Sequence, residues 1–214
     1  MGESSALDEA LGPIAMSPRR AEIGREGDER RTIRAAQRGL PDALESLIRA
    51  HWAEARRIAA VILADDAAAE DVAQEALLAA VRSLDRFDRR RPFRPWLHRI
   101  VTNRALDWAR ARQRRGEVGL ADAARPPNGL SAADSRSQSG ISPELLAALK
   151  TLSAEQRAIV VLRHVAGFDS NEIAEMLDRP SATVRSMLQR ALARLRGELE
   201  GKVLKETGGL SDDD

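Results

Sequence analysis

From position 167 to 195 the chain reads GFDSNEIAEMLDRPSATVRSMLQRALARL, two short helical periods interrupted by Asp178-Arg179-Pro180. Ile173, Ala174, Leu177, Val184 and Leu188 recur at helical spacing, so the two segments share one apolar seam. Pro180 cannot continue a helix, because its ring lacks the amide donor and clashes with the preceding turn. Asp169 followed by Glu172 has the spacing of a capping box opening the first helix, and Ser181 or Thr183 is placed to cap the second. This spacing predicts a helix-turn-helix. Two helices of an ordinary bundle meeting at a proline turn would give a similar pattern, and charge separates the two readings. Five arginines and no acid lie between positions 179 and 196, whereas a solvated bundle face mixes signs. A one-sign face suits a polyanion, and a second helix of this kind suits a DNA major groove.

The whole chain, 214 residues, has room for one large domain or two small ones. It has no cysteine, which excludes disulfides and thiolate-held metals and fits an intracellular setting. Its three histidines, His51, His98 and His164, are scattered, so no metal site is expected. No apolar run approaches the roughly 20 residues needed to span a bilayer. Residues 1–31 show neither the apolar core nor the cleavage site of a signal peptide, and the expected location is cytoplasmic. A formal net charge of +1 argues against a nucleic-acid partner only until its distribution is read. Positions 65 to 75 hold five acids and no base, and positions 82 to 115 hold twelve arginines against three acids. Such segregation suggests two surfaces for two different partners.

The organisation that follows is all-α, with no strand signal: two small helical domains joined by a flexible linker. Residues 1–31 form a mobile N-terminal extension without sustained periodicity. Residues 32–115 read as almost continuous helix with three apolar stripes. Leu44, Leu47, Ile48, Ile58, Val61 and Ile62 form the first. Ala73, Leu77, Ala80, Val81 and Leu84 form the second. Leu97, Val101, Ala105 and Trp108 form the third, with Trp96 and Ile100 beside it. Residues 116–142, rich in Gly, Ser, Ala and Pro, form the linker. Residues 143–200 form the second domain, in which Ser153 and Gln156 make a further capping box and Gly167 ends a helix. Residues 201–214 are a mobile tail.

Asp71, Gln74, Glu75 and Leu78 fall at i, i+3, i+4 and i+7, on one helix face opposite the Leu77 and Val81 stripe. An exposed acidic face is a solvated surface or a docking surface. Acid–base chemistry would need a pocket and a polar partner that shift the carboxyl pKa, and nothing in the sequence supplies one.

The next segment decides between them. Phe93-Arg94-Pro95-Trp96-Leu97-His98-Arg99-Ile100-Val101-Thr102-Asn103 leads into Asp107 and Arg110. The pattern F-x-x-W-L-x-R-I-x-x-N-x-x-x-D-x-x-R resembles region two of bacterial sigma-70-type factors of the extracytoplasmic-function group. Asp71-x-x-Gln74-Glu75 resembles that family's core-polymerase signature, and Thr183-Val184-Arg185-Ser186 with Arg190-Ala191 is similar to its region-four recognition helix. The resemblance covers about residues 35–115 and 143–197, in the family's order.

It implies a region-two helical bundle and a region-four helix-turn-helix. The implied partners are core RNA polymerase, promoter DNA and an anti-sigma factor, with no cofactor and no enzymatic chemistry. Polymerase binding would fall to Asp71, Gln74, Glu75 and Leu78. The −10 element would be met by Arg89, Arg90, Arg91, Arg99, Asn103 and Arg110, from a loop over about residues 85–92 and the helix beneath it. The −35 element would be met by Ser181, Thr183, Arg185, Ser186, Gln189 and Arg190.

Some motif residues have structural readings instead. Phe93, Trp96, Leu97 and Ile100 fit core positions, Asp107 fits a pair with Arg104 or Arg110, and His98 and His164 fit a helix surface. The chain also departs from the family. Met187 stands where a basic residue is common, Lys150 where a proline is common, and Asp178 and Ala182 where glycines are common. Two other functions stay in view. One is a stand-alone helix-turn-helix regulator whose first domain binds a ligand or dimerises. The other is a nucleic-acid-processing enzyme with Asp65, Asp66, Glu70 and Asp71 as metal ligands, with Asp65 and Asp66 expected to precede the helix.

Overall fold

The computed structural model describes residues 23–116 and 143–208, with side chains over 27–116 and 144–200. These residues divide into two compact units, and every regular element in them is helical. Of the predicted linker, 116–142, all but Gly116 lies outside the described residues, as do 1–22 and 209–214.

In the first unit, α1 spans Ile23–Gln37, α2 Pro41–Leu63, α3 Asp66–Ser83 and α4 Phe93–Arg114, with a 3-10 turn, η1, at Leu84–Arg86. Helix α1 begins nine residues before the boundary predicted at 32 and buries Ile33 and Ala36 near its end. Helix α2 has Pro41 in its first turn, where the missing amide bonds nothing, and its N-cap, Leu40, has no side-chain acceptor. Its long buried face includes Leu47, Ala55, Ile58, Ala59, Val61 and Ile62. Facing elements are built from alanine: α3 buries Ala68, Ala69, Ala73, Ala76 and Ala80 beside Val72 and Leu77. Side chains this small let helix backbones approach closely. Asp65 caps α3, accepting from the Ala68 amide at 3.1 Å, while Asp66 is already the first helical residue.

In the second unit, α5 spans Pro143–Lys150, α6 Ala154–His164, α7 Ser170–Leu177 and α8 Ser181–Gly208. Both predicted capping boxes form, Ser153 with Gln156 and Asp169 with Glu172. Gly167 takes φ +77, the left-handed turn expected of it. Ile159, Leu162, Phe168, Ile173, Ala174 and Val184 form one buried cluster, with Leu177 and Leu188 packed against it. Buried Arg157 donates to the carbonyls of Leu149, at 3.2 Å, and Leu152, at 2.6 Å, tying the end of α5 to α6. Burial lowers its pKa to about 10, which leaves it charged at neutral pH.

Two sequence expectations change here. Ser181 opens α8 from inside the helix: the Val184 amide donates to the Pro180 carbonyl at 3.1 Å, so the proline stands at the cap position. The same helix runs to Gly208, eight residues into the segment assigned to the tail.

Candidate functional surfaces

Helix α3 presents Asp71, Gln74, Glu75 and Leu78 to solvent along one face, while Val72, Ala73, Ala76 and Leu77 are buried on the other. Leu78 is 45 % exposed, a large apolar side chain in the middle of a charged face. That combination offers both an electrostatic and an apolar contact to a partner. Among the described residues no group of His, Cys, Asp or Glu is arranged to hold a metal. Two of the acids in the metal-ligand reading have other partners. Asp65 is engaged by the Ala68 amide and by Arg112 at 2.9 Å, and Asp66 lies 3.6 Å from Arg56.

Residues 87–92 connect η1 to α4 and display Arg89, Arg90 and Arg91, all exposed. Asp88 shapes the turn: its carboxylate accepts from the Arg90 amide at 3.0 Å, and its carbonyl accepts from the Arg91 amide at 3.0 Å. Arg99 and Asn103 are exposed along α4. Arg110 is also exposed but pairs with Asp107 at 3.1 Å, as its i,i+3 spacing allows. Trp108 is half-buried under the Arg112 guanidinium, 5.3 Å from the ring centroid.

The aromatic residues of the motif belong to the interior. Phe93 is buried and meets Phe87 edge-on at 5.4 Å, and half-buried Trp96 lies 4.9 Å from Phe87 and 5.3 Å from Phe93. This cluster closes the foot of the loop.

In the second unit Arg185, Ser186, Gln189 and Arg190 are exposed along α8, with Val184 fully buried behind them. Thr183 is exposed and Ser181 half-buried at the helix start. The Ser186 hydroxyl donates to the Thr183 carbonyl at 2.9 Å, and Arg190 Nε donates to the Ser186 carbonyl at 3.2 Å. Arg179 does not join the α8 arginines: its Nε donates to Glu155 on α6 at 2.8 Å, pinning the turn of the helix pair.

The sequence reading missed a polar cluster beneath the loop. His98, expected on a helix surface, is 4 % exposed, and its Nε2 lies 2.5 Å from Glu54 Oε1. Glu54, itself 7 % exposed, also accepts from Arg94 Nε at 3.2 Å and lies 3.6 Å from His51 Nδ1. His51 Nε2 in turn meets Glu29 at 3.0 Å. Burial pushes the Glu54 carboxyl up, but contacts with His51 and His98 and the charge of Arg94 outweigh it and hold the pKa well below the carboxylate range. Burial likewise pushes His51 down, and Glu29 and Glu54 outweigh it, so its pKa is raised. The signal was present in register: Leu47, His51, Glu54 and Ile58 follow the i, i+4, i+7, i+11 course of one buried face.

Comparison with known proteins gives the family. A sigma-70 region 2 family model matches residues 47–115, and a sigma-70 region 4 model matches residues 142–195. The RNA polymerase sigma-E factor of Streptomyces avermitilis is 35 % identical over 163 residues, covering 75 % of this chain and 87 % of that protein. The probable RNA polymerase sigma factor RfaY of Xanthomonas campestris pv. campestris is 33 % identical over 171 residues. That match covers 77 % of this chain but only 42 % of RfaY, so the chain spans less than half of that relative. Further relatives are ECF RNA polymerase sigma factors. Among solved structures, the chain is similar to the sigma factor RpoE in its co-crystal structure with the anti-sigma factor NepR from Bartonella quintana. The TM-score is 0.54 at 25 % identity, over 73 % of this chain and 96 % of that one. With both sigma regions present in the expected order, the chain belongs to the sigma-70 family of RNA polymerase sigma factors, in its extracytoplasmic-function group.

Proposed function

We propose that this sigma factor divides its work among three exposed surfaces. The α3 face, with Asp71, Gln74, Glu75 and Leu78, docks core RNA polymerase. The 87–92 loop, with Arg89, Arg90 and Arg91, engages the −10 element together with Arg99, Asn103 and Arg110 of α4. Helix α8 reads the −35 element through Arg185, Ser186 and Gln189, with Ser181, Thr183 and Arg190 toward the phosphates. The observation that carries this reading is that the exposed α3 face of Asp71, Gln74, Glu75 and Leu78 holds no base, while Arg89, Arg90 and Arg91 stand exposed together in the connection before α4. Arg110 must leave Asp107 to reach a phosphate, and an exposed ion pair gives up little when it opens.

The protein carries out no covalent chemistry of its own; the polymerase supplies the active site. It works in the cytoplasm, where polymerase and chromosome meet. Among the described residues no helix is long and apolar enough to cross a membrane. The complex of RpoE with NepR supports an anti-sigma partner here too.

Replacing Asp71 and Glu75 together by alanine should weaken core-polymerase binding while leaving the melting profile nearly unchanged, since exposed charges add little stability. Unaltered polymerase affinity in that double mutant would remove the docking assignment. Run-off transcription with purified core polymerase on genomic fragments tests the whole reading, because a stand-alone regulator yields no promoter-dependent transcripts.

A further inference from the structure

Residues 87–92 carry three adjacent arginines on an exposed connection, and like charges at that spacing repel. Left to itself such a segment would sample many conformations and lose that freedom on binding. The helix that follows gives it no local anchor: Pro92, the N-cap of α4, has no side-chain acceptor, and the first turn holds no acid. Asp88 bonds the Arg90 and Arg91 amides within the loop, and further anchoring comes from other helices, at both ends. At the leading end Gln37 of α1 donates from Nε2 to the carbonyls of Leu84, at 2.9 Å, and Phe87, at 3.0 Å. At the trailing end Glu54 of α2 holds Arg94 and His98, one turn apart on α4, at 3.2 Å and 2.5 Å. Phe87 and Phe93, in edge contact, close the two ends on each other.

A buried carboxylate is a costly way to anchor a helix, since apolar residues of the same volume hold as well or better. What a charged clamp adds is register: Arg94 and His98 can meet Glu54 in one placement of the first turn of α4. Gln37 acts the same way, because its amide spans two carbonyls of one turn.

We propose that Gln37 and Glu54 are positioning residues that fix residues 87–92 from opposite ends and present Arg89, Arg90 and Arg91 already ordered for the −10 strand. The inference rests on the reading that this loop meets −10 DNA. It adds two residues, neither touching DNA, that set the loop's affinity.

The test uses the full chain bound to core polymerase, with Gln37→Ala, which removes the side-chain amide, and Glu54→Gln, which keeps the shape of the side chain and removes its charge. Three quantities are read: affinity for core polymerase, affinity of the holoenzyme for a single-stranded −10 oligonucleotide, and exchange of the Phe87 and Arg91 amides in the free protein. Each variant should lose roughly tenfold in oligonucleotide affinity and gain a similar factor in exchange, with core-polymerase affinity unchanged. A variant with an empty anchor and wild-type exchange overturns the proposal. So does a parallel loss of oligonucleotide and polymerase affinity, which would show general weakening of the unit. If wild-type holoenzyme ignores the oligonucleotide, the −10 reading fails separately, and the exchange data alone decide whether the two residues order the loop.

Discussion

In the second unit α6 and α7 each begin where a side chain closes a capping box, Ser153 with Gln156 and Asp169 with Glu172. In the first unit α2 and α4 begin at Leu40 and Pro92, which offer no acceptor. The first helix of the helix-turn-helix is thus opened by residues three apart. The loop that carries the arginines is specified by Gln37 and Glu54, which lie 47 and 44 residues from partners at Leu84 and His98. Local specification suits a rigid reader of duplex DNA, whose helix must arrive preformed. Distant specification suits a segment whose display depends on how several helices pack.

The comparison breaks most sharply at Glu54. Glu54→Ala strips the carboxylate that Arg94, His98 and His51 share, and removing one partner of a buried charged set costs about 3–5 kcal/mol. Ser153→Ala removes a local cap and should cost about 1 kcal/mol in the second unit. Hydrogen exchange on the intact chain, read unit by unit, measures both. Equal costs would mean that the two units are not held by different means.

Acidity sharpens the same contrast. Glu54 has a depressed pKa, so its contribution is present above the ordinary value of 4.5 and is lost as pH falls through the folded one. His51 has a raised pKa, so its contribution is full below 6.5 and is lost as pH rises through the folded one. The first unit should therefore be most stable between these limits and weaken as pH climbs past His51's folded pKa. The groups facing His51 are Glu29 and Glu54, while Arg94 and His98 share Glu54 from α4. Ring titration by NMR, compared with Glu54→Gln, checks the cause. A His51 that titrates identically in both proteins would separate it from Glu54.

Next in size is the recognition helix. Arg185 and Gln189 carry donors and acceptors that suit guanine and adenine edges, and Arg190 is the proposed phosphate contact. Arg185→Ala should cost about 1–3 kcal/mol on the matched −35 duplex and relax preference at one position. Arg190→Ala should weaken every duplex alike and make the salt dependence shallower by about one ion. Titrating both variants against matched and mismatched duplexes at several salt concentrations tells base reading from phosphate positioning. A uniform loss for Arg185→Ala removes its base-reading role.

Legibility in the sequence follows the same division. Capping boxes, the Pro180 break and the Ile173–Val184 seam are short-range patterns, and the structure forms each of them. The exposed α3 face was equally readable, because Asp71, Gln74, Glu75 and Leu78 share a helical register. His98 was misread because a histidine in an arginine-rich helix looks solvated until its partner is known. That partner, Glu54, is on another helix, and only its place in the Leu47–Ile58 register hinted at burial. Arg179 was grouped with the α8 arginines, but Glu155 draws it away across 24 positions. Pairings of this range depend on packing, which periodicity does not encode.

The smallest effect compares the two units at matched positions. Among the described residues each has one non-glycine residue in the left-handed region just after a helix: Ala64, φ 52, after α2, and Asp178, φ 52, after α7. In both, the amide still bonds back into the helix, Ala64 to the Ala60 carbonyl and Asp178 to the Ala174 carbonyl, so the turn is a working C-cap. An L-residue other than glycine meets steric crowding there, which an aspartate tolerates better than an alanine. Ala64→Gly should therefore stabilise the first unit by about 0.5–1 kcal/mol, the relief exceeding the extra freedom glycine gives the unfolded chain. Asp178→Gly should stabilise the second unit by less. Exchange at the slowest amides of each unit resolves differences of this size. A larger gain at Asp178 would show that the turn of the helix pair stores more strain than the first unit's.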